Sequence, residues 1–376
     1  MTLSTAPDDD GPAPEAPDER PDERPDVRSA SPRAVTLAVS GAVTALLAAG
    51  LVALPAPYAV SFPGPTRDVL GEHDGEPLMT IEGAPTYGST GELRLTTVSA
   101  LGGPGFPASV VDVLGGWFRA DSLVQPVEAV YPPDLQREQL ERRNEQEMTS
   151  SQENATVAAL TFLDYEVPAT LTVAGTVEGS GAVGQVEEGD VLTGVDGVRL
   201  GDYTTLLEHL AGVTPGATVT LALVRDGADL EVPIVTGEAD GRALIGVFID
   251  PTFRFPVDVT IRSDDIGGPS AGTMFALGII DELTERDEAD GEVIAGTGTI
   301  DVDGTVGAIG GIRQKLVGAL RDGAGWFLAP AANCDSVVGH VPDGLRVVSV
   351  TTLEEAYAAV VAIGEGAADA LPTCTS

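Results

Sequence analysis

The amino-acid sequence predicts an α+β protein preceded by one transmembrane helix, and three stretches of the chain predict this class. Residues 34–54 carry no charged side chain. Residues 170–235 contain short β-rich runs around a single helical stretch. Residues 241–363 alternate between strand and helix patterns, as expected where helices cover a sheet. A chain of 376 residues is long enough for two or three domains, each with its own core.

Residues 1–33 are predicted to form a disordered tail. They are rich in proline and charged side chains and contain a tetrapeptide repeat at residues 17–20, 21–24 and 25–28. Such a composition cannot bury enough apolar surface to offset the entropy of ordering the chain.

Residues 34–54 are predicted to span a membrane, because an uncharged stretch of this length crosses the hydrocarbon core. Arg28 and Arg33 precede it, and the next cation is Arg67. The positive-inside rule therefore predicts a single-pass protein of the cell membrane, with residues 1–33 in the cytoplasm and the remainder outside. A cleaved signal peptide is an alternative, since small residues near Ala53 suit a peptidase. The long N-terminal tail and the full-length apolar stretch favour an uncleaved anchor over that alternative. A buried core helix is disfavoured because nothing nearby in the sequence could cover all of its faces.

The composition excludes several classes of function. The net charge of −38 argues against nucleic-acid binding and against adhesion to anionic lipid. The three histidines are far apart and no Cys-x-x-Cys pair exists, so the sequence predicts neither a metal site nor a cofactor. Cys334 and Cys374 are the only cysteines. In an oxidising compartment they would form a disulfide that holds the C-terminal tail, residues 366–376; two free thiols are the alternative.

Residues 55–165 are predicted to begin with a proline-rich stalk at residues 58–67. A strand follows at residues 91–99, where apolar side chains alternate with polar ones. Glycines and a proline at residues 101–105 predict a turn. Residues 135–163 have apolar side chains at helical spacing and predict one or two helices.

Residues 166–237 are predicted to form a small β-rich domain. Its predicted strands are residues 170–177, 191–195, 218–224 and 230–235, and its predicted helix is residues 203–210. The stretch GDVLTGVDG at residues 189–197, followed by TPGATVTLALVRDG at residues 214–227, resembles the PDZ domain in both content and order. PDZ domains add an extended peptide to a sheet edge and capture its C-terminal carboxylate. The resemblance implies a groove between residues 169–173 and residues 203–210, whereas a domain used only as a spacer would leave that groove empty.

Residues 238–365 are predicted to alternate strands and helices. The predicted strands are residues 243–248, 256–261, 294–302, 326–329 and 345–350, and the predicted helices are residues 270–283, 313–320 and 353–363.

Two residues in this region have the properties of a nucleophile and its base. Ser270 stands where a glycine-rich loop meets a helix, and free amide groups at a helix start can stabilise an oxyanion. Lys315 is the only lysine of the chain, beside 19 arginines. Arginine cannot be deprotonated in a protein, but a lysine in apolar surroundings can lose its proton and act as a base. The alternatives are that Ser270 only caps the helix and that Lys315 lies by chance on a helix surface.

The sequence GPSAG at residues 268–272, with GTVGAIGGIRQK at residues 304–315, resembles the proteolytic domain of Lon-type proteases. The resemblance implies that Ser270 is the nucleophile, that Lys315 is the general base and that Thr297 supports the lysine. Gly268, Pro269 and Ala271 are then the loop beside the oxyanion. The chain departs from the pattern at Gly267, where many Lon proteases carry an acid.

The resemblance extends to residues 91–98 and 148–155, which are similar to the opening strand and helix of the Lon domain. The PDZ-like segment is then inserted within the Lon fold, as in membrane-anchored PDZ–Lon proteases of bacteria. Such domains form hexameric rings, so the resemblance also implies a homo-oligomer. The chain has no GxxxxGK[ST] phosphate-binding loop, which predicts cleavage without ATP of unfolded proteins or of tails held in the PDZ groove. A catalytically silent PDZ scaffold and an acyl-transfer enzyme other than a protease are the alternatives.

Overall fold

A computed structural model describes residues 31–133, 135–239, 241–263 and 266–375. The predicted disorder of residues 1–30 therefore lies outside the described residues. The helices within the described residues are α1 (Pro32–Ala53), α2 (Val110–Phe118), α3 (Val127–Val130), α4 (Arg137–Phe162), α5 (Tyr203–Ala211), α6 (Gly272–Leu283), α7 (Ile312–Arg321), α8 (Cys334–Val337) and α9 (Leu353–Gly364).

The strands form two six-stranded sheets and several short hairpins. In the part of the chain that the structure describes they are β1 (Tyr58–Asp68), β2 (Glu72–His73), β3 (Glu76–Pro77), β4 (Met79–Glu82), β5 (Glu92–Leu101), β6 (Leu123–Pro126), β7 (Ala169–Thr176), β8 (Val191–Val195), β9 (Val198–Arg199), β10 (Thr218–Arg225), β11 (Ala228–Val235), β12 (Gly237–Ala239), β13 (Arg242–Leu244), β14 (Val247–Phe253), β15 (Asp258–Ile261), β16 (Val293–Gly296), β17 (Thr299–Ile300), β18 (Val306–Gly307), β19 (Trp326–Pro330) and β20 (Arg346–Val350). This mixture of helices and strands confirms the predicted α+β class.

Helix α1 contains the predicted membrane span and forms a unit distinct from Leu54–Ser376. Its segment Pro32–Gly50 is long and apolar enough to cross a bilayer, by length and composition alone. A signal sequence would meet the same criterion.

The larger mixed sheet has the order β20-β19-β16-β5-β1-β6 and positions the candidate site. Strands β5, β16, β19 and β20 run parallel to one another, whereas β1 pairs antiparallel with β5 and β6. Successive side chains of a strand face opposite sides of the sheet. Trp326 and Leu328 accordingly join the core beneath α4, α6 and α9, and Phe327 joins the core beneath α7. Both faces are covered, which explains why β19 is buried throughout.

The stalk predicted at residues 58–67 is wrong, because those residues form strand β1 within this sheet. The prolines suggested an unpaired segment, since proline cannot donate to a strand ladder. The structure accommodates them at an irregularity in the pairing with β5, where the register shifts between Pro63 and Thr66. Ala59 and Val60 are buried and hold the strand in place. Pro65 lies in that unpaired stretch, and Pro63 is the last residue of the regular pairing before it.

The second sheet has the order β11-β10-β8-β7-β14, with β9 beside β8. The predicted strands and helix of this domain match β7, β8, β10, β11 and α5 to within two residues at each end. Leu206 and Leu210 of α5 are buried in a core shared with the sheet. The prediction placed a strand at residues 243–248 in the following domain, but these residues divide between β13 and the start of β14. Strand β14 pairs with β7, with a register shift after Phe248, and completes this sheet.

A disulfide joins Cys334 to Cys374, at a sequence separation of 40. It holds the C-terminal tail beside β20, where the Ser349 amide donates to the Pro372 carbonyl. Closing a loop of this size removes conformational freedom from the unfolded chain.

Reduction of the disulfide is expected to lower the free energy of unfolding by about 2–4 kcal/mol. Urea unfolding with and without reductant measures the difference. A variant with both Cys334→Ser and Cys374→Ser should unfold at the lower urea concentration and be insensitive to reductant. Equal stability of the oxidised and reduced wild-type protein would contradict the expectation.

Candidate active site

Three segments from separate parts of the chain meet at one point on the mixed sheet. Ser270 ends the loop before α6, Thr297 directly follows β16, and Lys315 lies in the first turn of α7. The Thr297 amide donates to the carbonyl of Leu328 on β19, at 3.2 Å, and so fixes this residue against the sheet.

The start of α7 fixes the direction of the Lys315 side chain. Gly311 precedes the helix with a φ of 70°, a left-handed conformation that favours glycine. A Cβ at this position would lie 2.6 Å from Val98 Cγ2, so only glycine fits. The Lys315 amide donates to the Gly311 carbonyl at 3.1 Å. The side chain then points inward and is only 3% exposed, which excludes the alternative of a lysine on the helix surface.

The Lys315 amine contacts two hydroxyl groups. Its Nζ lies 2.7 Å from Ser270 Oγ and 2.8 Å from Thr297 Oγ1. The Thr297 hydroxyl donates its only proton to the Ser270 carbonyl, at 2.9 Å. Thr297 Oγ1 must therefore accept from Nζ. When the Lys315 amine is neutral, it donates an N–H to Thr297, and the lone pair of Nζ remains available to face Ser270.

Burial changes the protonation of this lysine. Removal from water disfavours the ammonium form and lowers the pKa of Lys315 from 10.5 to about 7. About half of the molecules would hold a neutral amine at pH 7. A neutral amine at hydrogen-bond distance from a serine hydroxyl has the geometry and the basicity to accept its proton.

The loop that carries Ser270 is held by helix α4 and by the chain after β16. Ser151 Oγ donates to the Pro269 carbonyl at 3.0 Å, and the Gly268 amide donates to the Asn144 carbonyl at 3.4 Å. The Gly298 amide donates to the Ser270 carbonyl at 2.9 Å. The roles of Ser151 and Asn144 were not predicted from the sequence. Ser151 is a small polar residue among the apolar positions of α4, and this pattern could have indicated a buried polar contact.

Ser270 does not cap helix α6. The helix begins at Gly272, its N-cap is Ala271, and no side chain accepts from its first amides. Gly268 adopts a φ of +85°, which allows the tight turn into Pro269 and Ser270. The predicted loop of Gly268, Pro269 and Ala271 therefore surrounds the serine.

A cleft of about 520 Å³ opens over Ser270 and Lys315 and is lined by residues 96–99 of β5. Strand β16 pairs with β5 only along residues 92–95. Beyond that point β5 continues past its neighbour, beside the serine. An extended peptide in the cleft could pair with this part of β5 and present a carbonyl carbon to Ser270 Oγ.

Residues 169–173 do not form a free sheet edge in the β-rich domain, contrary to the prediction of a groove there. They belong to β7, which lies between β8 and β14 and is paired on both sides. The strand at this edge of the sheet is β14. The prediction failed because residues 238–365, which include β14, were assigned to the next domain, and β7 then appeared to be the edge.

A cavity of about 440 Å³ lies between α5 and β13. Leu207 and Leu210 line it from the helix, Arg242 and Leu244 line it from the strand, and Asp303 of the β17–β18 hairpin forms part of its wall. The cavity of the β-rich domain thus reaches the segment that follows Thr297.

Comparisons with known proteins match both regions. Residues 261–362 match the model of the Lon protease (S16) C-terminal proteolytic domain, and residues 148–236 match the PDZ domain model. The chain is 40% identical over 121 residues to Lon protease 1 of Sorangium cellulosum (strain So ce56), covering 31% of this chain and 15% of that protein. It is 34% identical over 116 residues to Lon protease of Clostridioides difficile (strain 630), covering 30% and 14%.

A crystal structure of the PDZ domain of an SdrC-like protein from Listeria monocytogenes is 17% identical, with a TM-score of 0.20, and covers 21% of this chain and 85% of that one. The chain spans about one seventh of the length of the Lon proteases that it matches. The region matched to the Lon model contains Ser270, Thr297 and Lys315, and the region matched to the PDZ model contains β7, β8, β10 and β11. The chain thus contains a region similar to the Lon (S16) proteolytic domain and a region similar to the PDZ domain.

Proposed function

We propose that this chain is a membrane-anchored serine endopeptidase that works without ATP, with Ser270 as nucleophile and Lys315 as general base. The observation that carries the proposal is the 2.7 Å separation of Lys315 Nζ and Ser270 Oγ, combined with a buried lysine whose pKa is about 7. Thr297 is a positioning residue, because it contacts the lysine and the serine backbone.

The proposed reaction proceeds through an acyl-enzyme. Neutral Lys315 takes the proton of Ser270 as Oγ attacks the peptide carbonyl carbon. Backbone amides of the loop around Ser270 stabilise the oxyanion. The resulting ammonium group then donates its proton to the leaving amine, and the C–N bond breaks. Neutral Lys315 next accepts a proton from the water molecule that attacks the ester carbonyl carbon. The ammonium group returns this proton to Ser270 Oγ as the ester C–O bond breaks, which releases the carboxylic acid and restores neutral Lys315.

The proposed substrates are unfolded proteins, or proteins whose tails the PDZ domain recruits. The sequence contains no phosphate-binding loop that could power unfolding. A PDZ domain binds a peptide by strand addition, and β14 supplies the edge for it. Arg242 in the adjacent cavity has the charge to attract a peptide carboxylate.

The proposed arrangement in the cell follows from α1 and the arginines before it. Residues 1–33 are cytoplasmic, residues 34–54 cross the membrane, and the peptidase acts outside the cytoplasm. Residues 55–165 and 238–365 form the Lon-like domain, residues 166–237 are the core of the inserted PDZ domain, and residues 366–376 are the C-terminal tail. We also propose that the Lon-like domain assembles into a ring, which is the expectation from the sequence resemblance alone.

Detection of new peptide termini in an unfolded protein, such as reduced casein, tests the function. The wild-type chain should generate new termini without ATP, and the Ser270→Ala variant should generate none. Thr161→Ala, which removes an exposed hydroxyl near the end of α4, serves as the control. Absence of cleavage by the folded wild-type chain would favour a silent PDZ scaffold.

A further inference from the structure

Helix α2 exposes an apolar face, although both of its ends are anchored. On its inner side Val113 and Gly116 are buried, and a Cβ at Gly116 would lie 2.8 Å from Val124. The outer side chains are Val111, Leu114, Trp117 and Phe118, exposed by 51%, 45%, 60% and 90%. At about 100° per residue, Val111, Leu114 and Phe118 fall within about 60° on the helical wheel. They form one continuous surface, with Trp117 at its edge.

The helix holds this face in a fixed orientation. Ser109 Oγ accepts from the Asp112 amide at 3.2 Å, and the Asp112 carboxylate accepts from the Ser109 amide at 2.8 Å. This capping box also engages the only acidic residue of the helix. At the other end, Arg119 is paired with Asp121. The exposed face therefore presents no unpaired charge from α2, in a chain whose net charge is −38.

The path of the chain places this face close to the predicted membrane. Helix α1 ends at Ala53, and Pro55 already forms a bridge with Ser109, the N-cap of α2. The Ala56 amide donates to the Ala108 carbonyl at 2.8 Å. Two residues span at most about 7 Å. The interfacial layer of a bilayer extends about 5–8 Å beyond the hydrocarbon on each side. With about 5 Å more across the bridged pair, the start of α2 is tethered within about 12 Å of the end of α1, near the outer edge of that layer.

We propose that α2 is an interfacial helix whose apolar face, formed by Val111, Leu114, Trp117 and Phe118, inserts into the bilayer leaflet next to the end of α1. The inference rests on the membrane anchor under Proposed function. Tryptophan and phenylalanine favour the boundary between headgroups and acyl chains. No basic face accompanies the apolar one, so the fitting partner is a zwitterionic lipid surface rather than an anionic one. Insertion would fix the orientation of the peptidase relative to the membrane.

The two tryptophans of the chain make the proposal testable by fluorescence. Trp117 is on the exposed face of α2, whereas Trp326 is 7% exposed within the mixed sheet. The full chain is reconstituted into phosphatidylcholine vesicles with and without bromine on the acyl chains. Brominated lipid should quench a substantial part of the wild-type emission. The Trp117→Phe variant keeps the apolar face and retains only Trp326, so its emission should be unaffected by bromine.

Equal quenching of the wild type and Trp117→Phe would overturn the proposal. The proposal would also be overturned if Trp117 fluorescence were quenched neither by aqueous iodide nor by brominated lipid. That result would indicate that Trp117 is covered by a second copy of the chain. Flotation of the same vesicles shows whether the chain is attached to the membrane at all, and so tests the anchor separately from the interfacial helix. A chain that floats without differential quenching is anchored but has no interfacial helix. A chain that does not float contradicts the anchor, and the inference fails with it.

Discussion

Replacing Lys315 by methionine should abolish peptide cleavage and leave the fold intact. Methionine is similar in length and suits a buried site, but it cannot accept a proton. Loss of a general base lowers rates by about 10²–10⁴-fold. We expect kcat/KM on an unfolded peptide to fall by that factor, with an unchanged circular dichroism spectrum. Lys315→Arg should be equally inactive, because arginine keeps its proton.

Arg313→Met is the matched control for this change. Arg313 lies on the same helix, is exposed and donates to the Ser336 carbonyl, away from Ser270. It should retain wild-type activity. A double variant with Ser270→Ala should be no less active than either single variant, because residues that act as a unit are not additive. A folded Lys315→Met protein that cleaves at a rate near that of the wild type would exclude the dyad.

The rate of cleavage should rise with pH through a midpoint near 7. Burial lowers the pKa of Lys315 to about 7, and only the neutral amine can accept the serine proton. Below this pH, kcat/KM should fall about tenfold for each pH unit, and above about pH 8 it should level off. Thr297→Val removes an acceptor from the ammonium group and should shift the midpoint to lower pH while reducing the plateau. A midpoint near 10 would indicate a lysine that is solvated in solution.

The same titration affects the stability of the fold. Between pH 7 and 10.5 the unfolded chain binds the Lys315 proton and the folded chain does not, so the free energy of unfolding rises with pH in that window. The slope from this one group is about 1.4 kcal/mol per pH unit. Lys315→Met should remove it. Urea unfolding of both proteins at pH 7.5 and pH 9 measures the difference.

The residues of the candidate site were predictable because their surroundings are local. The glycines before Ser270 and around Gly311 shape each turn from within a few residues, so the pattern is visible in the sequence. The support of the loop was not predictable. Ser151 reaches Pro269 across 118 residues of chain, and no periodicity encodes a contact of that kind. Only the fold brings α4 to the loop.

The pairing of strands was the second feature that could be predicted only in part from the sequence. Alternation predicted β5, β8 and β10 well, because each has one apolar pattern and clear turns. It failed for β1, where prolines at an irregular pairing obscured the strand. It also could not show that β14 joins the sheet of β7, because the order of strands is a property of the whole fold.

The β17–β18 hairpin links Thr297 of the candidate active site to the cavity beside α5. It follows Thr297 at one end, and Asp303 at its turn lines that cavity. A peptide that displaces this hairpin would change the affinity of the cleft at Ser270 for its substrate. Linkage requires the converse by the same factor, so a covalent inhibitor on Ser270 would tighten or weaken peptide binding at the PDZ domain. Peptide binding measured with and without the inhibitor, and inhibitor binding measured with and without the peptide, should give the same coupling free energy.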